Sequence, residues 1–177
     1  MHVLVTGGCG YIGSALLPLL QDDPAVEGIT VLDSLSGGSP RHLLEARLGD
    51  GLAFRRGDVR EYGDVESAMR GADAVIHLAA ITGASSTHDR REETFAINRD
   101  GTTNVLTAAE KLDVGTVVFA SSCNNYGRTT STDIDETTEM DPLNPYAETK
   151  VASERELEAR AEDGGFDATA LRMSTNF

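Results

Sequence analysis

The sequence predicts one domain built on a doubly wound, parallel β-sheet with helices on both faces. Short apolar runs alternate with stretches of helical periodicity along the chain, which is the pattern of repeated β–α units. The first apolar run leads directly into a glycine-rich turn and a helix. The length of 177 residues suits one domain and leaves no space for a second complete one.

Each element follows from the period of its apolar residues and from the turn residues at its ends. The predicted strands are residues 2–6, 28–33, 53–55, 74–78, 116–120 and 168–173. The predicted helices are residues 11–21, 41–48, 64–70, 92–112 and 146–161. The exposed face of the last helix is expected to carry Glu148, Glu154, Arg155, Glu158 and Arg160.

The chain is strongly acidic. It has 29 acidic and 15 basic residues, a formal net charge of −14 at pH 7, and only two lysines, Lys111 and Lys150. This charge disfavours binding to nucleic acid. Excess carboxylate with scarce lysine favours a halophilic protein, whose self-repulsion is screened by salt, over an ordinary acidic mesophilic one.

Location and metal binding are limited by what the sequence lacks. No apolar run approaches the roughly 20 residues of a membrane span and no signal segment precedes the first strand, so a cytoplasmic protein is expected. Cys9 and Cys123 have no His/Cys spacing that completes a zinc site. We expect no metal, and we expect both cysteines to be small buried residues beside a ligand rather than a disulfide.

The segment Thr6-Gly7-Gly8-Cys9-Gly10-Tyr11-Ile12-Gly13, called the glycine turn below, lies between a predicted strand and a predicted helix. The amides and dipole of a helix N-terminus attract a pyrophosphate, and glycines leave its approach open. Asp33 ends the second strand, where a carboxylate can accept hydrogen bonds from both ribose hydroxyls and would repel a 2′-phosphate. Together they indicate NAD, although a tight turn and a solvated carboxylate are the simpler alternatives.

Tyr146 and Lys150 lie one turn apart on the last predicted helix. A free tyrosine has a pKa of about 10 and is a poor base at neutral pH. A nearby ammonium and a positive nicotinamide ring would both lower that pKa. With a bound dinucleotide, the pair predicts hydride transfer at a substrate hydroxyl whose proton Tyr146 removes.

Further short motifs follow the glycine turn in order: His77-Leu78-Ala79-Ala80, Ser121-Ser122, Tyr126-Gly127 and Tyr146-Ala147-Glu148-Thr149-Lys150. With these motifs the whole chain resembles the extended short-chain dehydrogenase/reductases. More closely it is similar to their NAD-dependent epimerase/dehydratase branch, which acts on nucleotide sugars, and to the UDP-glucose 4-epimerase kind within it. The resemblance implies a Rossmann-like NAD-binding domain over residues 1–177.

The resemblance implies where the cofactor binds. The pyrophosphate would lie along the glycine turn, the adenosine beside Asp33, and the rest of the cofactor at the end of the fourth strand. Asn98 matches a family asparagine that organises the active site, and without the match it would be a helix residue bonded to backbone. The implied cofactor residues are Gly7, Gly10, Tyr11, Ile12, Gly13, Asp33, Ser34, Leu35, Ser36, Gly37, Asp58, Val59, Leu78, Ala79, Ala80, Asn98, Tyr146 and Lys150.

The implied catalytic residues are Ser122, Tyr146 and Lys150. Ser122 lies five positions before Gly127 and matches the family's catalytic Ser/Thr, which hydrogen-bonds the reacting oxygen. Lys150 would also hold the nicotinamide ribose. The alternative for a serine at a strand end is a backbone cap, which suits Ser121 better than Ser122.

The positions after Ser122 favour epimerisation or simple oxidation over elimination. Family members that dehydrate or decarboxylate typically have acidic residues there, whereas this chain has Cys123 and Asn124. In an epimerase the hydride returns to the opposite face of the sugar and NAD is not consumed. Asn125 also departs from the family, which usually has an apolar residue at that position.

Relatives continue into a smaller substrate lobe, of which almost nothing is expected in this sequence. We therefore predict NAD binding with little turnover, because the lobe holds the substrate in position. The alternatives are a secondary-alcohol dehydrogenase of the same superfamily, acting for example on threonine, and a non-catalytic NAD-binding module.

Relatives also dimerise through helices that correspond to those of Asn98 and Tyr146. The stripe of Ala152, Leu157 and Ala161 would serve such a dimer, although a core-facing role suits it better.

Overall fold

The computed structural model describes residues 1–43, 46, 51–83, 87–128 and 133–174. Within them lie six strands: β1 His2–Thr6, β2 Gly28–Asp33, β3 Leu52–Arg56, β4 Ala74–His77, β5 Thr116–Ser122 and β6 Asp167–Met173. All are parallel and form one sheet in the order β3-β2-β1-β4-β5-β6. The predicted doubly wound parallel sheet is therefore confirmed, with its switch point between β1 and β4.

Five α-helices between the strands lie wholly within the described residues. They are α1 Tyr11–Asp22, α2 Tyr62–Met69, α3 Arg91–Phe95, α4 Gly101–Lys111 and α5 Pro145–Glu162. Short 3₁₀ turns occupy Pro40–Leu43 and Cys123–Tyr126, and a π-helical turn, Ala96–Asp100, joins α3 to α4. The predicted helix 41–48 is described only as far as the first of these turns and at Ala46, and its other residues lie outside the described ranges.

The elements form for local reasons that the sequence carries. All six residues of β2 are buried, as expected for a parallel strand that is covered on both faces. Helix α5 begins after Asn144, whose side chain accepts a hydrogen bond from the Ala147 N–H at 3.0 Å, and Pro145 occupies its first turn.

Two apolar clusters hold the helices against the sheet. One includes Phe119, Leu106 and Leu157 and packs α2, α4 and α5 against it, and the other, which includes Leu17 and Val31, lies under α1. Leu157 is 2% exposed and Ala161 packs against the same cluster, so the core-facing role is confirmed for these two residues of the stripe. Ala152 is half-buried. None of the helices in the described ranges is both long and apolar enough to cross a membrane.

Glu154 is the clearest correction to the predicted helix faces. The sequence places it on the exposed face of α5, but it is 7% exposed in the structure. The reason is an ion pair with Arg172 of β6, 2.8 Å long, which no helical period can predict because the two residues belong to different elements. The predicted helix 92–112 is likewise corrected by its π-helical turn.

Candidate active site

A cavity of about 830 Å³ opens where β1, β2, β4 and β5 end, which is the edge at which open parallel sheets bind ligands. Its volume lies in the range of small-molecule and cofactor sites. It is lined by most of the predicted site residues: Gly7, Gly10, Tyr11, Ile12, Gly13, Asp33, Ser34, Ser36, Gly37, Asp58, Val59, Leu78, Ala79, Ala80, Ser122 and Tyr146.

The glycine turn is shaped by close approaches that only glycine allows. Gly7 has φ +71°, and a Cβ at this position would lie 2.6 Å from the Ala79 amide nitrogen. The turn therefore packs directly on the chain that leaves β4. Gly10, which precedes the first residue of α1, has no side chain to cap the helix, so the first amides of α1 remain available beside the cavity.

These features fit a dinucleotide. A Cβ added at Gly37 would meet nothing within 4 Å, and Gly37 lines the cavity, so the chain leaves this part of the wall without a side chain. An open helix N-terminus, a glycine-lined wall and a strand-end carboxylate are the groups that a pyrophosphate and a ribose require.

Asp33 joins the glycine turn to the loop after β2. Its carboxylate accepts hydrogen bonds from the Cys9 N–H at 2.9 Å and from the Leu35 N–H at 2.8 Å. Asp33 is 8% exposed and lines the cavity. Each carboxylate oxygen can accept a further hydrogen bond, so Asp33 can hold the turn in place and still accept from a ligand. Burial and the Asp33 charge raise the pKa of the Cys9 thiol to about 11.

Asp58 lies at the cavity with a partner that the sequence analysis missed. Its carboxylate accepts two-pronged hydrogen bonds from Arg60, the shortest 2.7 Å long, and these bonds hold the pKa of Asp58 below its ordinary value. Its backbone N–H donates to Asp64 at 3.0 Å. The loop after β3 is therefore ordered by polar contacts before any ligand is bound.

Three predicted cofactor residues do not line the cavity: Leu35, Asn98 and Lys150. Leu35 is half-buried and packs against the cluster under α1. Asn98 is 1% exposed, and its side chain accepts from the Ile81 N–H at 2.8 Å and donates to the Ile81 carbonyl at 2.9 Å. It therefore supports the wall that Ile81 forms, and the organising role implied by the family resemblance stays a prediction.

Ser122 and Tyr146 meet at the β5 end of the cavity. Burial raises the pKa of Tyr146 above its ordinary value of 10.0, and a hydrogen bond with Ser122 acts in the opposite direction. The Ser122 hydroxyl also accepts from the Asn124 N–H at 3.2 Å, so Ser122 makes the backbone cap that the sequence assigned to Ser121. The Ser121 hydroxyl donates to the Glu154 carboxylate instead, and this prediction is wrong. In this structure Tyr146 is a neutral phenol at neutral pH.

Lys150 differs from its predicted environment. It is 3% exposed, and its ammonium donates to the Ala120 carbonyl at 2.7 Å and lies 4.5 Å from the centre of the Phe119 ring. Burial lowers the pKa of Lys150 to about 7, although the Glu154 charge acts in the opposite direction. The ammonium lies 5.8 Å from the centre of the Tyr146 ring. Burial raises the Tyr146 pKa and the hydrogen bond with Ser122 is the effect that opposes it, so the predicted lowering of this pKa by Lys150 is not found in the structure.

A buried polar cluster beneath Ser122 escaped the sequence analysis. The Glu154 carboxylate accepts hydrogen bonds from Arg172, from the Ser121 hydroxyl and, at 2.8 Å, from the Asn125 amide. Arg172 also donates to the Tyr126 hydroxyl at 2.9 Å. The departure of Asn125 from the family's apolar residue is thus accommodated by hydrogen bonds. Its Oδ1 has no partner among the described residues.

The described residues contain no group of three or more His, Cys, Asp or Glu side chains placed to hold a metal ion. Cys9 is buried as predicted, whereas Cys123 is exposed, so the predicted burial of Cys123 is wrong. Cys123 and Asn124 both line the cavity beside Ser122, where the family resemblance called for an acid in dehydrating members.

The parallel sheet, the open glycine turn and the convergence of Ser122 and Tyr146 on one cavity define a dinucleotide-binding protein of the short-chain dehydrogenase/reductase class. The sequence model of the NAD dependent epimerase/dehydratase family matches residues 3–177, and the chain belongs to this family.

Known relatives include both epimerases and dehydratases. The chain is 33% identical, over its whole length, to a dTDP-glucose 4,6-dehydratase of Actinoplanes sp., of which it covers 57%. It is 35% identical over 86% of its length to UDP-glucose 4-epimerase 3 of Oryza sativa subsp. japonica, of which it covers 42%. The chain thus spans about half the length of the curated relatives that it matches.

Solved structures of UDP-glucose 4-epimerases have the same fold as this chain. The UDP-glucose 4-epimerase of Stenotrophomonas maltophila, with bound NAD and formylated UDP-arabinopyranose, superposes with a TM-score of 0.90 at 30% identity. The NAD complex of the Thermus thermophilus UDP-glucose 4-epimerase superposes with a TM-score of 0.87 at 32% identity. In both comparisons 97% of this chain is covered, against 52% and 54% of the solved chains.

Proposed function

We propose that this chain binds NAD in the cavity at the carboxyl edge of the sheet. We propose further that it is the cofactor-binding domain of a nucleotide-sugar epimerase and contains the residues that take part in the reaction. The observation that carries the proposal is that Ser122 and Tyr146 line the same cavity as the glycine turn and Asp33. A reacting hydroxyl and a dinucleotide can therefore occupy one enclosed space.

The residues that would hold NAD follow from the cavity wall. The first amides of α1 would receive the pyrophosphate, Asp33 the adenine ribose, and Ala79 and Ala80 would line the nicotinamide half. Bound NAD supplies a hydride acceptor that can return the hydride to the sugar. Asp33 favours NAD over NADP, because a 2′-phosphate would bring like charge against a carboxylate that is already held by two backbone amides.

Ser122 and Tyr146 are the residues that would act on the proton of the reacting hydroxyl. Ser122 would hydrogen-bond the reacting oxygen, and Tyr146 would exchange the proton with it. Because Tyr146 is a neutral phenol in the protein alone, it can act as a base only when positive charge is added close to its oxygen. Lys150, on the adjacent turn of α5, is already present in the protein alone, so this additional charge would have to come from a bound ligand.

Epimerisation rather than dehydration is favoured by the two side chains after Ser122. Elimination of water from a sugar requires an acid to protonate the leaving hydroxyl. Cys123 donates through its thiol to the Arg172 carbonyl, and Asn124 is an amide, so neither supplies a carboxylic acid.

Cofactor binding is tested by calorimetric titration with NAD and NADP. We expect NAD to bind at least about tenfold more tightly than NADP, and we expect Asp33→Ala to reduce that preference, since each tenfold corresponds to about 1.4 kcal/mol. Equal affinity for the two cofactors, or no binding of either, would contradict the proposal.

Turnover is tested with UDP-glucose, UDP-galactose and dTDP-glucose. Because the chain spans about half the length of its relatives, we propose that these 177 residues bind NAD with little turnover. Slow epimerisation by the wild type that Tyr146→Phe abolishes would support both the assignment of Tyr146 and the low-turnover part, whereas rapid epimerisation would contradict the low-turnover part. Tight NAD binding with no reaction would favour the alternative of a non-catalytic NAD-binding module.

We further propose a halophilic protein that forms a homodimer through α4 and α5, as the sequence indicated. Leu157 and Ala161 of the α5 stripe face the core, so the dimer would rely on polar contacts, such as those around the Arg160 ion pairs with Glu110 and Glu156. Light scattering at high salt tests the dimer, and a monomeric mass there would reject it.

A further inference from the structure

A buried histidine lies behind the cavity and has no part in the proposed proton transfer. His77 ends β4, is 1% exposed and does not line the cavity. Its Nδ1 lies 2.6 Å from the Thr6 hydroxyl oxygen, and its Nε2 lies 3.0 Å from the Thr102 hydroxyl oxygen. The ring therefore bridges the last residue of β1 and the first turn of α4.

The direction of these hydrogen bonds follows from the Thr102 end. The Thr102 hydroxyl donates its only hydrogen to the Asn98 carbonyl at 2.5 Å, and a carbonyl can only accept. The Thr102 oxygen therefore accepts from His77, so the Nε2 atom carries a hydrogen. The Nδ1 atom of the neutral ring is then an acceptor for the Thr6 hydroxyl.

Both ends of this series reach the cavity wall. At one end the Thr6 oxygen accepts from the Ala79 N–H at 3.3 Å. At the other end the Asn98 side chain holds both the N–H and the carbonyl of Ile81. Ala79 and Ile81 both line the cavity. The series thus begins and ends at the segment where the chain leaves β4.

The Asn98 carbonyl, which accepts the hydrogen bond at the Thr102 end of the series, belongs to the π-helical turn. Asn98 lies within the π turn Ala96–Asp100, and its carbonyl accepts from the Ser153 hydroxyl of α5 at 3.2 Å as well as from Thr102. The Asn98 amide donates to Thr149, also of α5, at 3.2 Å. The helix of Tyr146 is therefore tied to the same series.

We propose that Thr6, His77 and Thr102 form a directional hydrogen-bond chain, with His77 held as the neutral Nε2–H tautomer, that positions the Ala79–Ile81 wall for a dinucleotide. His77 is a positioning residue in this proposal, since it contacts no substrate or cofactor. The hydrogen-bond chain itself depends only on the geometry of the protein, and the identity of the ligand rests on the proposed function.

The charges around His77 support the neutral ring. The ring is contacted by uncharged side chains, namely Thr6 on β1, Thr102 on α4 and Phe119 on β5. The centre of the Phe119 ring lies 5.8 Å from that of His77. Burial and the Lys150 ammonium both disfavour a second proton, so the pKa of His77 falls to about 3.

The first measurement uses the protein without cofactor. Long-range ¹⁵N–¹H correlation spectra of the wild type are expected to show a protonated Nε2 and a bare Nδ1 for His77. The Nδ1–H tautomer, or a doubly protonated ring at neutral pH, would overturn the proposal.

The second measurement removes one hydroxyl at constant shape. In Thr102→Val the ring Nε2–H loses its acceptor, and the Ile81 amide is expected to exchange its hydrogen about tenfold faster, as for the loss of one buried hydrogen bond. Thr107→Val is the matched control, because Thr107 makes the same kind of bond on α4, to the Thr103 carbonyl at 2.7 Å. Equal exchange of Ile81 in the two variants would overturn the proposal. Thr102→Ser keeps the hydroxyl and is expected to restore wild-type exchange.

Calorimetric titration with NAD links the hydrogen-bond chain to the cavity. Thr102→Val is expected to bind NAD about tenfold more weakly than Thr107→Val, a difference of about 1.4 kcal/mol. If none of the variants binds NAD while Ile81 exchange still differs, the proposed function fails and the hydrogen-bond chain stands. If Thr102→Val does not fold, the tautomer in the wild type decides the proposal alone.

Discussion

At the residue scale, the catalytic candidates are set by competing electrostatic effects rather than by residue type. Tyr146 and Lys150 are both buried, and burial disfavours the charged form of each: it raises the pKa of the phenol and lowers that of the ammonium. The protein alone is therefore in a resting state. A positive ligand beside Tyr146 is required before its phenolate becomes accessible near neutral pH.

Ser122 opposes the effect of burial on Tyr146, which gives a direct prediction. Removal of this hydroxyl in Ser122→Ala is expected to raise the pKa of Tyr146 further above its ordinary value. Phenolate absorbance during an alkaline titration measures this pKa, with Tyr146→Phe as the reference that subtracts the other three of the four tyrosines. An unchanged or lower Tyr146 pKa in Ser122→Ala would show that the two hydroxyls do not interact.

His77 predicts a specific sensitivity to acid. Its pKa is about 3 in the folded protein and 6.5 in the absence of burial, so the unfolded chain binds the extra proton first. The free energy of unfolding is therefore unaffected by His77 above about pH 6.5 and falls as the pH drops toward 3, by up to about 1.4 kcal/mol per pH unit.

Urea unfolding at about pH 7 and about pH 5 measures this loss. The loss in free energy of unfolding between the two pH values should be smaller in His77→Asn, because asparagine does not titrate. In His88→Gln the loss should equal that of the wild type, since His88 is exposed. If wild type and His77→Asn lose the same free energy between the two pH values, the buried neutral histidine is not the cause.

At the scale of the elements, α5 carries more of the site than its two catalytic candidates. One turn after Lys150 it presents Glu154 to Arg172 of β6 and to Ser121 of β5. Through these contacts, the helix, the edge strand and the end of β5 are fixed together directly beneath Ser122. The pKa of Arg172 is raised by its bonds to Glu154, so the guanidinium is charged throughout the physiological range.

Removal of the Glu154 charge is predicted to be costly. Glu154→Gln leaves the Arg172 guanidinium, only 18% exposed, without its counter-charge, and should lower the free energy of unfolding by roughly 3 kcal/mol. Glu148→Gln is the matched control on the same helix, because its ion pair with Arg91 is at the surface and contributes at most about 1 kcal/mol. Chemical unfolding of the two variants decides the prediction, and equal losses would contradict it.

The observed strands and helices show which elements the apolar periodicity of the sequence predicts. It places every strand of the described sheet within a few residues and locates α1, α2 and α5. It cannot detect the π turn at Ala96–Asp100, because one additional residue in a helical turn leaves the apolar spacing of residues 92–112 nearly unchanged. The match of Asn98 to the family pointed to this residue but not to the π turn around it.

At the scale of the whole molecule, the net charge of −14 dominates the behaviour in solution. Many of its carboxylates are paired with arginines at the surface, such as Glu93 with Arg90 and Glu148 with Arg91, but the excess of acid is not neutralised. Self-repulsion opposes the compact state and extends over roughly 10 Å at 0.1 M salt.

Salt is therefore predicted to stabilise the fold. The midpoint of thermal unfolding should rise between about 0.1 M and about 1 M NaCl, where the screening length falls to about 3 Å. NaCl is preferable to sulfate, which strengthens apolar burial by a separate effect. A midpoint that does not change or that falls with NaCl would reject the halophilic interpretation.

The sequence by itself determined the sheet and the family, because both depend on short-range information. Apolar spacing, the glycine turn and the Tyr146 to Lys150 interval are local patterns that each element carries whatever its neighbours do. Most of the cavity lining could therefore be named in advance.

Only the tertiary structure decided the charge states and supports of those residues. The burial of Glu154, the proton on His77 and the lowered pKa of Lys150 all arise from groups on other strands and helices. Desolvation and hydrogen-bond direction depend on what lies across the sheet, and no interval along the chain encodes them.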